Sequence, residues 1–201
     1  MKKIFLTKIR NLAICVMTIL SLAIPMTIFA ESDKTDYNYD KIIAVFQSAG
    51  IMDQNEVGAA ELSSVLTRAE FADYLAKLMN ARLENAGVVF IDVATDNLYA
   101  KSINGLAKSG IVSVPQDLKF TPNTPITYNE ALTMVIRAAG YGVMAQTNGG
   151  YPTGYTYTAS KLGIRNTVAN NDSITMGEGL RVLFDGATVG TYSADMITSD
   201  G

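Results

Sequence analysis

A short pattern that recurs three times is the feature that most constrains how these 201 residues can fold. An apolar residue followed by Thr-x-x-Glu stands at 66–70, 126–130 and 174–178. A Gly-Ile pair precedes each copy, at 50–51, 110–111 and 163–164, with a shorter connection in the third. The same two features in the same order predict three copies of one structural unit.

Each Thr-x-x-Glu predicts the start of a helix. A Thr at the N-cap accepts a hydrogen bond from the third helical N–H, and a Glu at that third position reaches back to the N–H of the cap. The predicted capping residues are Thr67, Glu70, Thr127, Glu130, Thr175 and Glu178. Apolar residues at helical spacing follow each cap, which is typical of a helix with one buried face.

A second helix is predicted before each of these, ending at the Gly-Ile turn. The predicted ranges are 40–48, 96–109 with Asp96 as its cap, and about 155–162. Gly supplies the left-handed conformation that commonly ends a helix. The chain is therefore expected to be mainly α, built from helix-loop-helix units. One pair of helices this small cannot bury its apolar stripe alone, so the units should share a core.

The first 30 residues read as a secretory signal. Lys and Arg at the start are followed by an apolar run, a break at Pro25, and an expected cut after Ala30. The alternative, an uncleaved membrane anchor, needs about 20 uninterrupted apolar residues. The predicted organisation is a signal at 1–30, units at 31–87, 88–147 and 148–190, and a tail at 191–201. After cleavage no membrane anchor is expected.

Composition excludes several function classes. The chain has no His and a single Cys, so it cannot build a Ser-His-Asp or Cys-His site or a His-rich zinc site. Without the first 30 residues it keeps 12 basic and 19 acidic residues, a net charge of −7. Because phosphate binding needs clustered Lys and Arg, nucleic acid is not an expected partner. No enzyme activity, cofactor or metal site is predicted; the acidic stretch at 92–97 lacks the Gly and distal Glu of a calcium loop.

These motifs resemble the S-layer homology domain, a family that usually occurs as three tandem copies in bacterial surface proteins. The second unit is most similar, with Phe-Ile-Asp-Val at 90–93, Ala-Lys-Ser-Gly-Ile at 107–111 and Phe-Thr-Pro-Asn at 120–123. The first unit keeps Thr-Arg-Ala-Glu at 67–70, and the first and third units are otherwise degenerate. The resemblance implies a pseudo-threefold spindle around a central three-helix bundle, with grooves between copies.

The resemblance also implies a function. It indicates a secreted module that anchors non-covalently to the cell wall by binding an anionic, often pyruvylated, secondary cell-wall polysaccharide; other surface-layer proteins are further candidate partners. The alternative is a degenerate triplet that acts as a protein-protein packing or spacer module in a surface-layer assembly.

The family residue most associated with the glycan is the Arg of Thr-Arg-Ala-Glu, which is Arg68 here, next to Thr67. A guanidinium can hold a carboxylate in a two-pronged bond. The equivalent positions hold Tyr128 and Met176, so one strong anion-binding groove is expected, with Tyr128 as a candidate for stacking on a sugar. The alternative for Arg68 is a surface pair with Glu70 or Asp73.

Other residues stay open on sequence alone. Three further arginines are candidates to reach a groove: Arg137, Arg165 and Arg181. Phe90 and Phe120 are predicted to lie in the core. Three tyrosines near the start of the third unit fit either a sugar-binding strip or a packed entry to that unit: Tyr151, Tyr155 and Tyr157.

Overall fold

Helices make up almost all of the regular structure. The computed structural model describes residues 38–53, 59–79, 87–164 and 172–190. The helices within these ranges are α1 (Tyr39–Ser48), α2 (Ala59–Leu62), α3 (Arg68–Leu78), α4 (Ala100–Lys108), α5 (Tyr128–Ala138), α6 (Gly142–Thr147), α7 (Thr153–Lys161) and α8 (Met176–Thr188). The mainly α fold is as the sequence predicts. The predicted signal at 1–30 and tail at 191–201 lie outside the described residues.

Capping boxes start α3, α5 and α8. In each, the Thr hydroxyl accepts a hydrogen bond from the Glu N–H and the Glu carboxylate accepts one from the Thr N–H. The bonds from the Thr N–H to the carboxylate measure 2.8, 3.0 and 2.7 Å in chain order. The repeated Thr-x-x-Glu pattern therefore predicts the first residue of three helices correctly.

The helix predicted over 96–109 begins later, at Ala100, so the prediction that Asp96 caps it is wrong. Its N-cap is Tyr99, which makes no side-chain capping bond. Instead, Asn97 forms the entry turn: its side-chain oxygen accepts the Tyr99 N–H at 2.8 Å and its carbonyl accepts the Ala100 N–H at 3.0 Å. The first residues of the expected helix therefore form an Asx turn instead.

The three cap segments bond to one another in a closed ring. Leu66 N–H donates to the carbonyl of Ile174 (3.0 Å), Ile174 N–H to Ile126 (3.0 Å), and Ile126 N–H to Leu66 (2.9 Å). All three side chains are buried. Each segment supplies the backbone acceptor that another needs, and three widely separated stretches of sequence meet at one place.

The first N–H of each capped helix also crosses to another unit. Arg68 donates to Thr124 (3.0 Å), Tyr128 to Asp172 (3.0 Å), and Met176 to Ser64 (2.8 Å). These N–H groups have no partner within their own helix. The start of each helix is therefore completed by a neighbouring unit.

Close packing in the core depends on glycine at three helical positions: Gly154, Gly179 and Gly186, the last of which faces the side chain of Val135. A Cβ on Gly154 in α7 would overlap the backbone carbonyl of Ala145 in α6, and one on Gly179 in α8 would overlap the side chain of Leu66. Helix α7 therefore lies against the backbone of α6, and α8 packs closely on neighbouring side chains. Among the helices described above, none is long and apolar enough to cross a membrane.

Candidate binding site

Arg68 lies where α3 meets the loop before α5. It is the first residue of α3, and its Nε donates to the carbonyl of Phe120 at 2.9 Å. Its Nη1 forms an ion pair with Oε1 of Glu130 at 2.6 Å, and the guanidinium lies 4.8 Å from the centre of the Phe120 ring. The Arg68 side chain is 16% exposed. The guanidinium is thus held in place and still reaches solvent.

The partners of Arg68 differ from those that the surface-pair interpretation expects. Glu70 is occupied by its own capping box, and Asp73 pairs with Lys77 (3.0 Å) and accepts a hydrogen bond from Ser102. The pairing with Glu70 or Asp73 is therefore wrong, because the acid that Arg68 meets comes from the second unit.

Asp92 fixes the loop that meets Arg68. Its two carboxylate oxygens accept the N–H groups of Phe120 (2.8 Å) and Thr121 (2.7 Å). The Phe120 ring packs on Phe90 with centroids 5.4 Å apart, and both rings are buried, as the sequence predicts. Sequence reasoning missed that Asp92 positions this loop, although Asp92 belongs to the Phe-Ile-Asp-Val motif noted there.

Glu130 uses its two carboxylate oxygens for separate tasks. Oε2 accepts the Thr127 N–H at 3.0 Å to complete the cap of α5, and Oε1 binds Arg68. Its side chain is 32% exposed. Within the part of the chain that the structure describes, Glu70 and Glu178 make the same cap but no ion pair with an arginine of another unit. The three caps are alike, and one of them also holds a cation.

Tyr151, from the start of the third unit, lies close enough to this pair to feel both charges. Partial burial is the main cause that raises the pKa of its phenol, the negative charge of Glu130 raises it further, and Arg68 opposes the shift. Tyr151 is 55% exposed. We use the name Arg68 site for Arg68, Phe120, Glu130 and Tyr151. It combines a cation, an anion and an exposed aromatic ring.

Tyr128 does not fit the role predicted for it. It is 1% exposed, and burial, with a smaller effect from the Asp185 charge, raises the pKa of its phenol to about 12, while Arg181 opposes the shift. A ring enclosed by protein has no face to offer a sugar, so the stacking prediction for Tyr128 is corrected. Met176 is also buried. Thr67 is half-buried, and its hydroxyl donates to Glu70 at 2.7 Å.

The other candidate arginines lie elsewhere. Arg137 binds the Tyr155 hydroxyl (2.9 Å) and the carbonyl of Ile111 (3.1 Å), so it ties the second unit to α7. Arg181 lies 4.0 Å from Asp185 on the same helix, and Arg165 is outside the described residues.

The three tyrosines near the start of the third unit differ in their exposure to solvent. Tyr155 is buried and packed, whereas Tyr151 and Tyr157 are exposed. Across the described ranges, no cluster of three His, Cys, Asp or Glu residues is placed to hold a metal ion.

A comparison with known protein families finds a match within the second unit, which contributes residues to the Arg68 site. Residues 92–132 match the model of the S-layer homology domain. This segment of the chain is similar to an S-layer homology domain. It contains Asp92, Phe120 and Glu130, which build one side of the Arg68 site.

Longer matches extend beyond that domain. The chain is 27% identical over 170 residues to the Middle cell wall protein of Brevibacillus brevis, covering 79% of this chain and 16% of that protein. It is 27% identical over 154 residues to the Surface layer protein of Brevibacillus choshinensis, covering 73% and 14%. It is 32% identical over 97 residues to Exoglucanase XynX of Acetivibrio thermocellus, covering 48% and 9%. The chain thus spans less than a fifth of each of these relatives.

Proposed function

We propose that this chain is a cell-surface anchoring module and that its Arg68 site binds an anionic secondary cell-wall polysaccharide. The family resemblance implies that this polysaccharide is pyruvylated. The S-layer homology domain at 92–132 supports this, as does similarity over most of the chain to a cell wall protein and a surface layer protein. The role is structural rather than enzymatic, and the location is the cell wall after export through the signal at 1–30.

The proposal includes three tandem S-layer homology units arranged as a pseudo-threefold spindle. The closed ring of hydrogen bonds among Leu66, Ile126 and Ile174 supports it, because each of these residues occupies the same position relative to its own cap. Identical capping boxes at all three helix starts support it further.

The observation that carries the proposal is the hydrogen bonding of the Arg68 guanidinium. Its Nε and Nη1 are engaged, whereas Nη2 has no hydrogen-bond partner among the described residues. That nitrogen can donate to a ligand carboxylate while the rest of the guanidinium stays fixed. The backbone N–H groups of Arg68 and Ala69 are already bonded to Thr124 and Pro122. The anion therefore binds the side chain of Arg68 rather than the bare end of the helix.

Tyr151 takes the aromatic role that Tyr128 cannot fill. Its ring is exposed and lies within electrostatic range of Arg68 and Glu130, so it can offer an apolar face to a sugar whose acidic substituent binds Arg68. Thr67 stays a proposed member of the site through its place in the cap beside Arg68.

Co-sedimentation with wall sacculi tests this function. The chain, expressed for export and checked for its helical circular dichroism spectrum, is mixed with sacculi of the producing organism, either intact or stripped of secondary polymer. We expect the parent and Lys77→Ala to pellet with intact sacculi only, and Arg68→Ala to stay in solution. Lys77 is a matched control, since it is an ion-paired cation on the same helix, about 13 Å along the axis from Arg68. Equal pelleting with stripped sacculi would contradict the proposed ligand.

A second candidate function, a packing or spacer module in a surface-layer assembly, is favoured by one observation. At the two positions equivalent to Arg68, the buried Tyr128 and Met176 provide no cation. A folded parent that does not pellet with intact sacculi would support this candidate and refute the first.

A further inference from the structure

We propose that Glu130 is a specificity-determining residue of the Arg68 site, because its carboxylate competes with the ligand anion for the Arg68 guanidinium. The inference rests on the proposed function and adds to it the group that sets the strength and selectivity of binding. A ligand is retained only when its anion binds Arg68 better than Glu130 does.

The geometry of the pair supports this competition. The 2.6 Å contact between Nη1 and Oε1 is as short as a strong charge-assisted hydrogen bond. The negative charge of Glu130 therefore offsets part of the attraction that Arg68 exerts on an approaching anion. Both side chains remain partly open to solvent, so a ligand can reach the pair from outside. Arg68 is also anchored by Phe120, through its carbonyl and its ring, and does not depend on Glu130 for its position.

The carboxylate of Glu130 can lose its charge without losing the helix cap. Oε2 serves the cap and Oε1 serves Arg68. A capping box accepts Gln as well as Glu at this position, since the amide oxygen can take the Thr127 N–H. Glu130→Gln therefore removes the competing charge and keeps the start of α5.

The repeat provides two matched controls. Glu70 and Glu178 occupy the same cap position in the first and third units, and among the described residues neither forms an ion pair with an arginine. Glu70→Gln and Glu178→Gln change the net charge by the same amount as Glu130→Gln and alter the same position of a capping box. A difference between the three variants isolates the contact with Arg68.

The experiment is calorimetric titration of the full chain and its variants with secondary wall polymer released from sacculi by mild acid. We expect Glu130→Gln to bind about fivefold more tightly than the parent, and both control variants to bind within about twofold of it. In the double variant Arg68→Ala with Glu130→Gln, the gain should vanish.

Unchanged or weaker binding by Glu130→Gln, with parent binding intact and lost in Arg68→Ala, would overturn this inference and leave the proposed function standing. Equal tightening in all three Glu→Gln variants would also overturn it, since net charge would then explain the effect. A folded parent that does not bind the polymer would refute the proposed function and, with it, this inference.

Discussion

Arg68 has a structural task besides the one proposed for it. Its side chain connects α3 to the Phe120 loop and to the cap of α5 through one hydrogen bond, one ion pair and one ring contact. We expect Arg68→Ala to lower the free energy of unfolding by about 1–2 kcal/mol, because these contacts join two units. Urea denaturation measures this. Lys77→Ala should lower it by less than about 0.5 kcal/mol, since Lys77 is exposed and its ion pair lies within one helix.

Tyr128 makes the free energy of unfolding depend on pH under alkaline conditions. Its pKa is raised to about 12 in the folded protein, mainly by burial, against an ordinary value of 10.0. Between these values the folded chain retains a proton that the unfolded chain has lost, so stability falls as pH rises from 10 toward 12 and is unaffected below that window. We expect this one phenol to contribute a loss of up to about 1.4 kcal/mol per pH unit.

Comparison of the parent with Tyr128→Phe in denaturant titrations at several alkaline pH values isolates this contribution. The variant should start less stable at pH 8, because it lacks the hydroxyl, and should lose less stability than the parent above pH 10. Parallel loss in both proteins would show that Tyr128 ionises as readily in the folded chain as in the unfolded one.

At the scale of single elements, the contact between α6 and α7 has no room for a side chain at Gly154. A methyl group there would meet the Ala145 carbonyl, which is backbone and cannot rotate away. Gly154→Ala is expected to lower the free energy of unfolding by about 2 kcal/mol or more, despite the better helix propensity of Ala. Ser160→Ala, at an exposed position of the same helix, should change it by less than about 0.5 kcal/mol. Similar effects of the two substitutions would contradict the close approach.

Helix starts and ends were predictable where a local rule decides them. The capping boxes of α3, α5 and α8 follow from Thr and Glu at fixed spacing, and the helix before each Gly-Ile turn ends at a glycine with positive φ: Gly50, Gly110 and Gly163. The start of α4 was not predictable in this way. Asp96 and Asn97 are both good capping residues, and the turn that Asn97 forms with Tyr99 decided between them.

At the scale of the whole molecule, the contacts between units were beyond sequence reasoning. The sequence motif identified Arg68. Its ion-pair partner, Glu130, could not be predicted because it depends on how the first and second units pack against each other. Tyr128 stands where the family motif has an arginine, yet packing buries it, and the exposed Tyr151 lies within electrostatic range of Arg68 and Glu130. These residues are distant in sequence, and no local propensity brings them together.

The net charge of the whole chain bears on how binding responds to salt. Without residues 1–30 the chain carries −7, which repels a polyanion at long range. Screening weakens that repulsion along with the local attraction at Arg68. We therefore expect the affinity for the wall polymer to change less than about threefold between about 0.05 and 0.15 M salt. A steep loss of affinity over this range would indicate broad electrostatic attraction instead of one local contact.

The dissociation constant for purified secondary wall polymer, measured for the parent, Arg68→Ala and Lys77→Ala under identical conditions, tests the central claim most directly. The account predicts that Arg68→Ala weakens binding by about tenfold or more, while Lys77→Ala stays within about twofold of the parent. Binding by folded Arg68→Ala that matches the parent would contradict the claim that the chain holds the wall at Arg68.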